Sequence, residues 1–557
     1  MPDPTGLPDN DGLDASRPAW PALARVALWG LVAIGWGLLA WNASRPITLY
    51  TDDASLLLNI LELSPAEYAG PLMHYQIAPW GFMVSVWAAV WVLGLDEWTV
   101  RLVPFLAAAG ALPLVAWLVR RTCVPWAGLL ALGGFVASGE WLLQACRVKP
   151  YTADVLFTAL FLVLAVRLAD RRCTWGRAAV LGAVGAAGMW FSVAFGIVVV
   201  AVGLTLLGLR AFGPARRDWG PLLTAGLAAA VSGAVHFLLV LRPQRQTGDT
   251  AEYMSAFWQS GFLPLPLPHP SRFAVRLMLF ASDATQLLLP GLVLALILLG
   301  IGVWVLRRDR AGLLVVAPIV LAAALAMLKL YPISGRLALF LAPSMFLALA
   351  QGLTTLHRAI GNSVGRWAGV AAAAAAVFLM FAKPFDTRGR APFEDDLMPV
   401  LEAVNERFRP DQRVYLYYGS QTVYDFYTRH HTPELAFPED RLVRGQIHRE
   451  QWLGYEDEVL ALAEEPGEVW LVFTHTGGNH RLREGDYFDL LLERHGEPLE
   501  RVEALDSFAV RWRPDRDPAP PAEDDRSSAP DAPQSAGESV TVPLPITEPS
   551  GEERRSP

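Results

Sequence analysis

Cysteine is scarce in this chain, and the cysteines that are present form no pattern. Cys123, Cys146 and Cys173 lie far apart and show no metal-ligand spacing, which argues against both a disulfide framework and a zinc site. Charged residues are also few, at 18% of the chain, and the formal net charge is -8. Because the acids concentrate in both tails and in the C-terminal third, we expect no nucleic-acid partner.

The N-terminus lacks the basic start of a signal peptide. Its first twenty residues, MPDPTGLPDNDGLDASRPAW, are acidic and proline-rich, so the first apolar run is expected to be a retained helix. The chain also shows no internal repeat of the kind that many membrane transporters carry.

The chain contains many long apolar runs. Hydrophobic residues make up 53% of its 557 residues, and the mean hydropathy is +0.31. Several runs reach the roughly 20 residues that a membrane-spanning helix needs, so the sequence predicts a polytopic α-helical membrane protein. The clear runs are 22–41, 98–119, 124–139, 150–169, 220–241, 284–306, 311–329, 335–356 and 366–383.

Two further apolar runs are ambiguous. Residues 177–210 are too long for one crossing and fit two short ones hinged near Met189-Trp190-Phe191-Ser192. Residues 77–95 fit either a span or a helix on the membrane surface. If residues 77–95 lie on the membrane surface, all five short basic loops fall on the side of the N-terminus, as the positive-inside rule favours. These loops are 120–121, 167–177, 210–217, 307–310 and 358–366.

The tryptophans of residues 77–95 also favour the headgroup level. With residues 77–95 on the membrane surface, the sequence predicts eleven spans, a cytoplasmic N-terminus and a C-terminus outside the cell. Several basic residues then lie at outer helix ends, against the charge bias, and a lipid phosphate is the natural partner for them.

Two adjacent carboxylates, Asp52 and Asp53, follow the first span and precede a short apolar helix predicted over 54–63. Thr51 or Asp52 can cap that helix. The acids would then lie at the positive end of the helix dipole, which lowers the pKa of a carboxylate. Such an acid suits a base or a metal ligand, although Asp52 could also be only a cap.

Other polar side chains fall on the same predicted outer face as the acid pair. Each could be a turn residue, a headgroup contact or a surface ion-pair partner, or it could contact a phosphate. Arg272 and Arg276 share one face of a helix predicted over 270–282. The candidates for substrate or phosphate binding are His74, Gln76, Arg147, Lys149, Tyr151, Arg272, Arg276, Lys329, Tyr331 and Arg336, and Glu140 is a further acid that could meet Asp52.

Residues 384–513 have the composition of a small soluble α/β domain. This part shows no glycine-rich phosphate loop and no obvious triad, and the segment between His475 and His480 indicates a loop rather than a metal site. Residues 1–21 and 514–557 are expected to be disordered, which leaves 22–383 as the membrane module. Helices are predicted at 393–408, 420–430 and 486–494, and strands at 413–418, 468–474 and 501–512.

Four stretches of the membrane module together resemble one family. They are YTDDASLLLNI, HYQIAPWGFMVSVWAAVWVLGLDEWTVRLVPFLAA, LLQACRVKPYTADVLFTAL and YPISGRLALFLAP. In this order and spacing they resemble the GT-C membrane glycosyltransferases, in the bacterial branch related to protein O-mannosyltransferases and the lipid A aminoarabinose transferase. The resemblance covers about residues 25–384.

The resemblance implies a GT-C-like fold with surface helices at the outer face of the cytoplasmic membrane. It implies a polyprenyl-phosphate sugar donor and an acceptor glycan, lipid or protein. Asp52 matches the main catalytic acid of the family and Asp53 its neighbour, and Asp52 with Glu140 would bind a divalent metal. Ile77-Ala78-Pro79 lacks the basic residue that the family has there, so Lys149, Arg276 or Arg336 would have to bind the phosphate.

Two other classes of protein remain open. A transporter or flippase of a lipid-linked anion would use the same cations, although transporters often show internal repeats. A membrane scaffold whose function resides in the soluble domain is the third possibility.

Overall fold

The computed structural model describes residues 20–45, 48–212, 219–245, 257–265, 269–380, 395–448, 451–476 and 483–515. These residues form a largely helical protein with a small sheet near its C-terminal end. Of the segments predicted to be disordered, 1–21 and 514–557, only residues 20–21 and 514–515 are described, and Pro514 belongs to the last strand. The boundary near 384 and His480 also lie outside the described residues.

The helices of the first half follow the apolar runs closely. They are α1 Ala22–Ala43, α2 Thr51–Glu62, α3 Trp80–Leu93, α4 Glu97–Thr122, α5 Pro125–Val136, α6 Gly139–Ala145, α7 Tyr151–Ala169, α8 Trp175–Gly188, α9 Phe195–Ala211 and α10 Trp219–Gln244. The break between α8 and α9 confirms the hinge predicted near residues 189–192.

The second half of the membrane part continues in the same way. Its helices are α11 Pro270–Thr285, α12 Pro290–Leu306, α13 Arg310–Met327, α14 Ala342–Ser363 and α15 Arg366–Met380. A 3-10 helix, Gly335–Leu341, leads into α14.

The described helices make this a multi-pass membrane protein. Six of them are long and apolar enough to cross a membrane, or up to eight if two bent pairs, α5 with α6 and α11 with α12, each form one span. The prediction of eleven spans stays a prediction. Helix α3 has 14 residues, about 21 Å at 1.5 Å per residue, which is shorter than the roughly 30 Å hydrocarbon core and favours a surface position.

Helix α2 begins earlier than predicted, and the predicted cap is wrong. Tyr50 precedes the helix, and no side chain caps its first turn. The Thr51 hydroxyl instead donates to the Gly419 carbonyl of the α/β domain at 3.0 Å, because that domain packs directly against this end of the helix. Asp52 and Asp53 do lie in the first turn, where the helix dipole favours negative charge.

The α/β domain contains a five-stranded sheet in the order β2-β1-β3-β5-β4. Strands β1, β2 and β3 run parallel, and β5 pairs antiparallel with both β3 and β4. The elements are α16 Met398–Arg407, β1 Arg413–Leu416, α17 Tyr418–Phe426, β2 Leu442–Arg444, α18 Leu453–Glu464, β3 Val469–Thr474, α19 Glu484–His495, β4 Gly496–Ala504 and β5 Ser507–Pro514.

The single closing strand predicted over 501–512 is wrong. Two strands form a hairpin there, and the turn falls on Leu505-Asp506. Asp506 adopts a left-handed conformation with φ of 49°, which aspartate tolerates better than most residues. No glycine or proline marks this turn, and its one turn-favouring residue is Asp506. Helix α18 and strand β2 were also missed.

One hydrophobic core joins the α/β domain to the membrane part. It contains Leu57 of α2 and Phe82 of α3 together with Leu401, Val423 and Trp470 of the α/β domain, all buried. Helix α3 and the acid-bearing helix α2 are therefore held in place by the C-terminal domain, which cannot be removed without exposing their apolar faces.

Glycines set the spacing between α12 and α14. A Cβ added to Gly352 would overlap the Leu296 carbonyl, and one added to Gly300 would overlap the Ala348 carbonyl. Small residues allow helix backbones to approach closely in membranes, where apolar burial alone does not drive association.

We expect Gly352→Ala to lower the free energy of unfolding by about 1–3 kcal/mol, the usual cost of overpacking a tight contact. Thermal unfolding in detergent measures this. Gly361→Ala on the same helix is the matched control, because a Cβ there meets nothing within 4 Å and alanine favours helix. Equal unfolding temperatures for the two variants would contradict the close approach.

Candidate active site

A cavity of about 1070 Å³ opens where the membrane helices meet the α/β domain. This is the size of a large ligand pocket. Its walls come from the start of α2, the segment 74–79, α6 and the start of α7, the segment 329–337, and several loops of the α/β domain. The predicted site residues that line it are Asp52, Asp53, His74, Gln76, Glu140, Arg147, Lys149, Tyr151, Lys329, Tyr331 and Arg336.

Two predicted site residues lie elsewhere. Arg272 and Arg276 are on α11, as predicted, but they are not among the residues that line the cavity. Their contact with a phosphate stays a prediction without support from this geometry.

The centre of the cavity is an ion pair between Asp52 and Arg336. The Nη2 atom of Arg336 lies 2.6 Å from Oδ2 of Asp52, and both side chains are about a quarter to a third exposed, at 26% and 30%. Arg336 follows Gly335, whose φ of +50° suits glycine. The Gly335 amide donates to Asp283 on α11 at 3.1 Å, which fixes the turn that carries Arg336.

Lys149 is a second, more deeply buried cation beside Asp52. It is 7% exposed, and its Nζ donates to Oε1 of Gln76 at 2.6 Å. Burial alone would raise the pKa of Asp52, but the charges of Lys149, Arg336 and His475 together hold that pKa well below its ordinary value. Asp52 is therefore an anion at any physiological pH. Burial lowers the pKa of Lys149, and Asp52 counteracts this.

Asp53 has a different environment from its neighbour. Its side chain is only 2% exposed, and Oδ2 lies 3.6 Å from Nη1 of Arg147. Oδ1 accepts from the backbone amide of Val148 at 3.0 Å. Burial raises the pKa of Asp53, although Arg147 and Lys149 oppose this. These contacts hold the segment 147–149 against α2, so Asp53 positions Lys149 while Asp52 faces the cavity.

Aromatic rings cover the guanidinium groups. The guanidinium carbon of Arg147 lies 3.6 Å from the centroid of the Tyr50 ring. The guanidinium carbon of Arg336 lies 5.7 Å from the ring of Tyr151 and 5.6 Å from that of Trp258. Such contacts attract a cation to the ring face and restrict its direction, so the two rings help to orient Arg336 toward Asp52.

The α/β domain supplies one wall of the cavity, which sequence reasoning missed. Thr422 donates to the Thr51 carbonyl at 3.4 Å, and His475 packs edge-on against Tyr50 with ring centroids 5.1 Å apart. No motif in the sequence links these positions to the membrane part. The wall is formed by Tyr418, Gly419, Gln421, Thr422, Asp425, Gly445, Ile447 and His475.

The donor set does not match the metal site that the resemblance implied. One Asp52 oxygen contacts the Arg336 guanidinium, and Glu140 accepts from Gln144 at 2.9 Å. Among the described residues, no group of three or more histidine, cysteine, aspartate or glutamate side chains is arranged to hold a metal ion. In this structure Arg336 and Lys149 supply the positive charge beside Asp52.

Comparison with known proteins gives no family and no curated relative that matches this chain. Solved structures that it resembles include ArnT from Cupriavidus metallidurans in the apo state, at 14% identity and a TM-score of 0.44, covering 87% of this chain and 97% of that one. The structure of the same protein bound to undecaprenyl phosphate is 13% identical, with a TM-score of 0.44. The match covers 87% of this chain and 97% of that one.

A third similar structure is the archaeal oligosaccharyltransferase AglB from Archaeoglobus fulgidus, in complex with an inhibitory peptide and a dolichol-phosphate. The identity is 11% and the TM-score 0.45, over 88% of this chain and 74% of that one. The sequence motifs resemble the same class of protein. Since these TM-scores are below 0.5, we derive the function from the residues of this chain alone.

Removal of the two neighbouring acids should lower the stability of the protein by different amounts. We expect Asp53→Ala to destabilise the fold by about 2–5 kcal/mol, because it leaves a buried amide and the buried Arg147 without their acceptor. Asp52→Ala should cost less, since its ion pair is partly exposed and screened by solvent. Thermal unfolding of the two variants in the same detergent measures the difference. A larger loss of stability for Asp52→Ala would contradict the positioning role of Asp53.

Proposed function

We propose that this chain is a membrane glycosyltransferase that moves a sugar from a polyprenyl-phosphate donor to an acceptor. The observation that carries the proposal is the cavity in which an ionised Asp52 faces Arg336 and Lys149 at the ends of membrane helices. The transfer needs a partner for the phosphate, for the reacting centre and for the acceptor hydroxyl, and this cavity offers all three.

The phosphate would lie against Arg336 and Lys149. Guanidinium and ammonium groups make charge-assisted hydrogen bonds to phosphate oxygens. When the bond between the anomeric carbon and the phosphate oxygen breaks, negative charge grows on the phosphate, and these fixed cations stabilise it in the transition state. The leaving group is already an anion, so the reaction needs no general acid.

Asp52 would act at the other side of the anomeric carbon. Its carboxylate can accept a hydrogen bond from the acceptor hydroxyl and orient the oxygen for attack. Its negative charge also stabilises positive charge that develops on the sugar ring. Because the cations hold its pKa low, Asp52 is better suited to orient the hydroxyl than to take its proton early in the reaction.

The proposal also covers the lipid chain and the side of the membrane. The helices α3 and α11 would flank a groove at the membrane surface for the polyprenyl chain. The positive-inside rule favours the outer face of the cytoplasmic membrane for the cavity and for the α/β domain. No feature of the described residues favours the transporter alternative.

We expect Asp52→Asn to abolish glycosyl transfer while the protein still reaches the membrane. The test compares the envelope glycans of a deletion strain by mass spectrometry after complementation with wild type or with the variant. Asp457→Asn is the matched control, because it makes the same chemical change at an exposed position of α18. Full restoration of the glycans by Asp52→Asn would remove Asp52 from the reaction, and a deletion strain whose glycans match those of the wild type would overturn the glycosyl transfer itself.

We expect Arg336→Ala to weaken binding of undecaprenyl phosphate by about 10- to 100-fold, the value of one charged hydrogen-bonding partner. Microscale thermophoresis in detergent micelles measures the dissociation constant. Arg307→Ala serves as the control, since Arg307 is an exposed arginine between α12 and α13 that does not line the cavity. If both variants bind as tightly as wild type, Arg336 does not contact the phosphate.

A further inference from the structure

The α/β domain carries a carboxylate and imidazole pair at the cavity wall. Nδ1 of His475 lies 3.0 Å from Oδ2 of Asp395, and the His475 amide donates to Oδ1 of the same carboxylate at 3.1 Å. Asp395 is buried, whereas the side chain of His475 is 31% exposed. The carboxylate thus binds both the backbone amide and the ring of His475 and fixes the direction of the imidazole.

Both residues of the pair have unusual backbone conformations. The φ angles of Asp395 and His475 are 64° and 57°, in the left-handed region that few residues other than glycine adopt. Such conformations cost energy and persist where surrounding contacts impose them, often at functional sites. His475 directly follows β3, at the end of the strand where the parallel strands β1 and β3 present their loops to the cavity.

The contact with Asp395 determines where the ring proton lies. Since a carboxylate oxygen can only accept, Nδ1 of His475 carries the hydrogen. In the neutral ring Nε2 then has a free lone pair, and no described residue donates a hydrogen bond to it. This tautomer is the one that can take a proton from a substrate hydroxyl.

The imidazole lies beside the proposed reacting centre. His475 lines the same cavity as Asp52 and packs against Tyr50, two residues before it. When it is protonated, His475 is close enough to Asp52 to lower the pKa of that carboxyl. The charged and titratable groups around His475 are thus Asp395 behind it and Tyr50 and Asp52 beside it.

We propose that His475, oriented by Asp395, is the proton acceptor for the acceptor hydroxyl. The inference rests on the proposed glycosyl transfer and deepens it. Asp52 is paired with Arg336 and serves orientation and charge, so the C-terminal domain would contribute directly to the chemistry rather than only cover the membrane part.

The step is balanced without any further reactant. The acceptor oxygen forms a bond to the anomeric carbon while its proton moves to Nε2 of His475. The bond between the anomeric carbon and the phosphate oxygen breaks, and its electron pair leaves with the polyprenyl phosphate. Asp395 stabilises the imidazolium, which returns its proton to water after the products leave.

The decisive variant is His475→Asn. Asparagine tolerates a left-handed φ and its amide can still donate to Asp395, but it cannot take a proton. We expect kcat to fall by about 10²- to 10⁴-fold, the usual contribution of a general base, with KM for the donor unchanged. The assay uses a panel of synthetic undecaprenyl-phosphate pentoses and hexoses, with envelope extract of the deletion strain as acceptor.

Two further variants separate chemistry from structure. His475→Gly should lose activity and regain part of it when imidazole is added, because glycine relieves the backbone and leaves room for the ring. Asp395→Asn should also lower kcat, since its amide would donate to Nδ1 and move the ring proton to Nε2, as the equivalent change does in serine proteases. Failure of imidazole to restore any activity would assign His475 a structural role and overturn the inference.

The outcomes also separate the inference from the proposed function. If Asp52→Asn is inactive and His475→Asn keeps kcat within twofold of wild type, His475 is not the base, while the glycosyl transfer stands. If the wild-type protein transfers no sugar from any donor of the panel, the proposed function fails and the role of His475 fails with it.

Discussion

The ion pair between Asp52 and Arg336 joins the two halves of the membrane part at the cavity. Asp52 stands in the first turn of α2, and Arg336 in the turn that leads into α14. Neither charge is in open water, and each reduces the cost of partly burying the other. Lys149 adds a second positive charge beside Asp52, so two cations lie next to this carboxylate. A lipid phosphate and a reacting hydroxyl need these two kinds of group side by side.

The geometry of this pair depends on elements far from it. Asp283 holds the turn before Arg336, Asp53 holds the segment that carries Lys149, and the α/β domain holds the start of α2 through Thr51. The shared core of α2, α3 and the domain makes the last of these supports rigid. Membrane part and soluble domain therefore act as one structure around the cavity, and the site is incomplete without either.

Much of this could be predicted from the sequence, because apolar runs of spanning length and paired acids after the first span are strong local signals. The helix hinge near residue 190 and the convergence of Asp52, Lys149 and Arg336 followed from such signals and from the resemblance. The hairpin turn at Leu505-Asp506 was not predicted, since it contains neither glycine nor proline. The pairing of Asp395 with His475 could not be read either, because it joins residues that are remote in sequence and share no motif.

The difference between the two adjacent acids also lay beyond the sequence. Asp52 and Asp53 have the same chemistry, and only the position of each on the first turn of α2 decides which one meets Arg336 and which one is buried against Val148. The position of Arg272 and Arg276 outside the cavity could not be predicted from the sequence either. Their spacing predicts the shared helix face but not the direction in which that face points.

The most direct measurement is a structure of the full chain in lipid nanodiscs with undecaprenyl phosphate, determined by cryo-electron microscopy. The account predicts density for the phosphate inside the cavity, in contact with Arg336 or Lys149, and density for the lipid chain leaving along the membrane surface beside α3. A phosphate bound away from these two residues would contradict it.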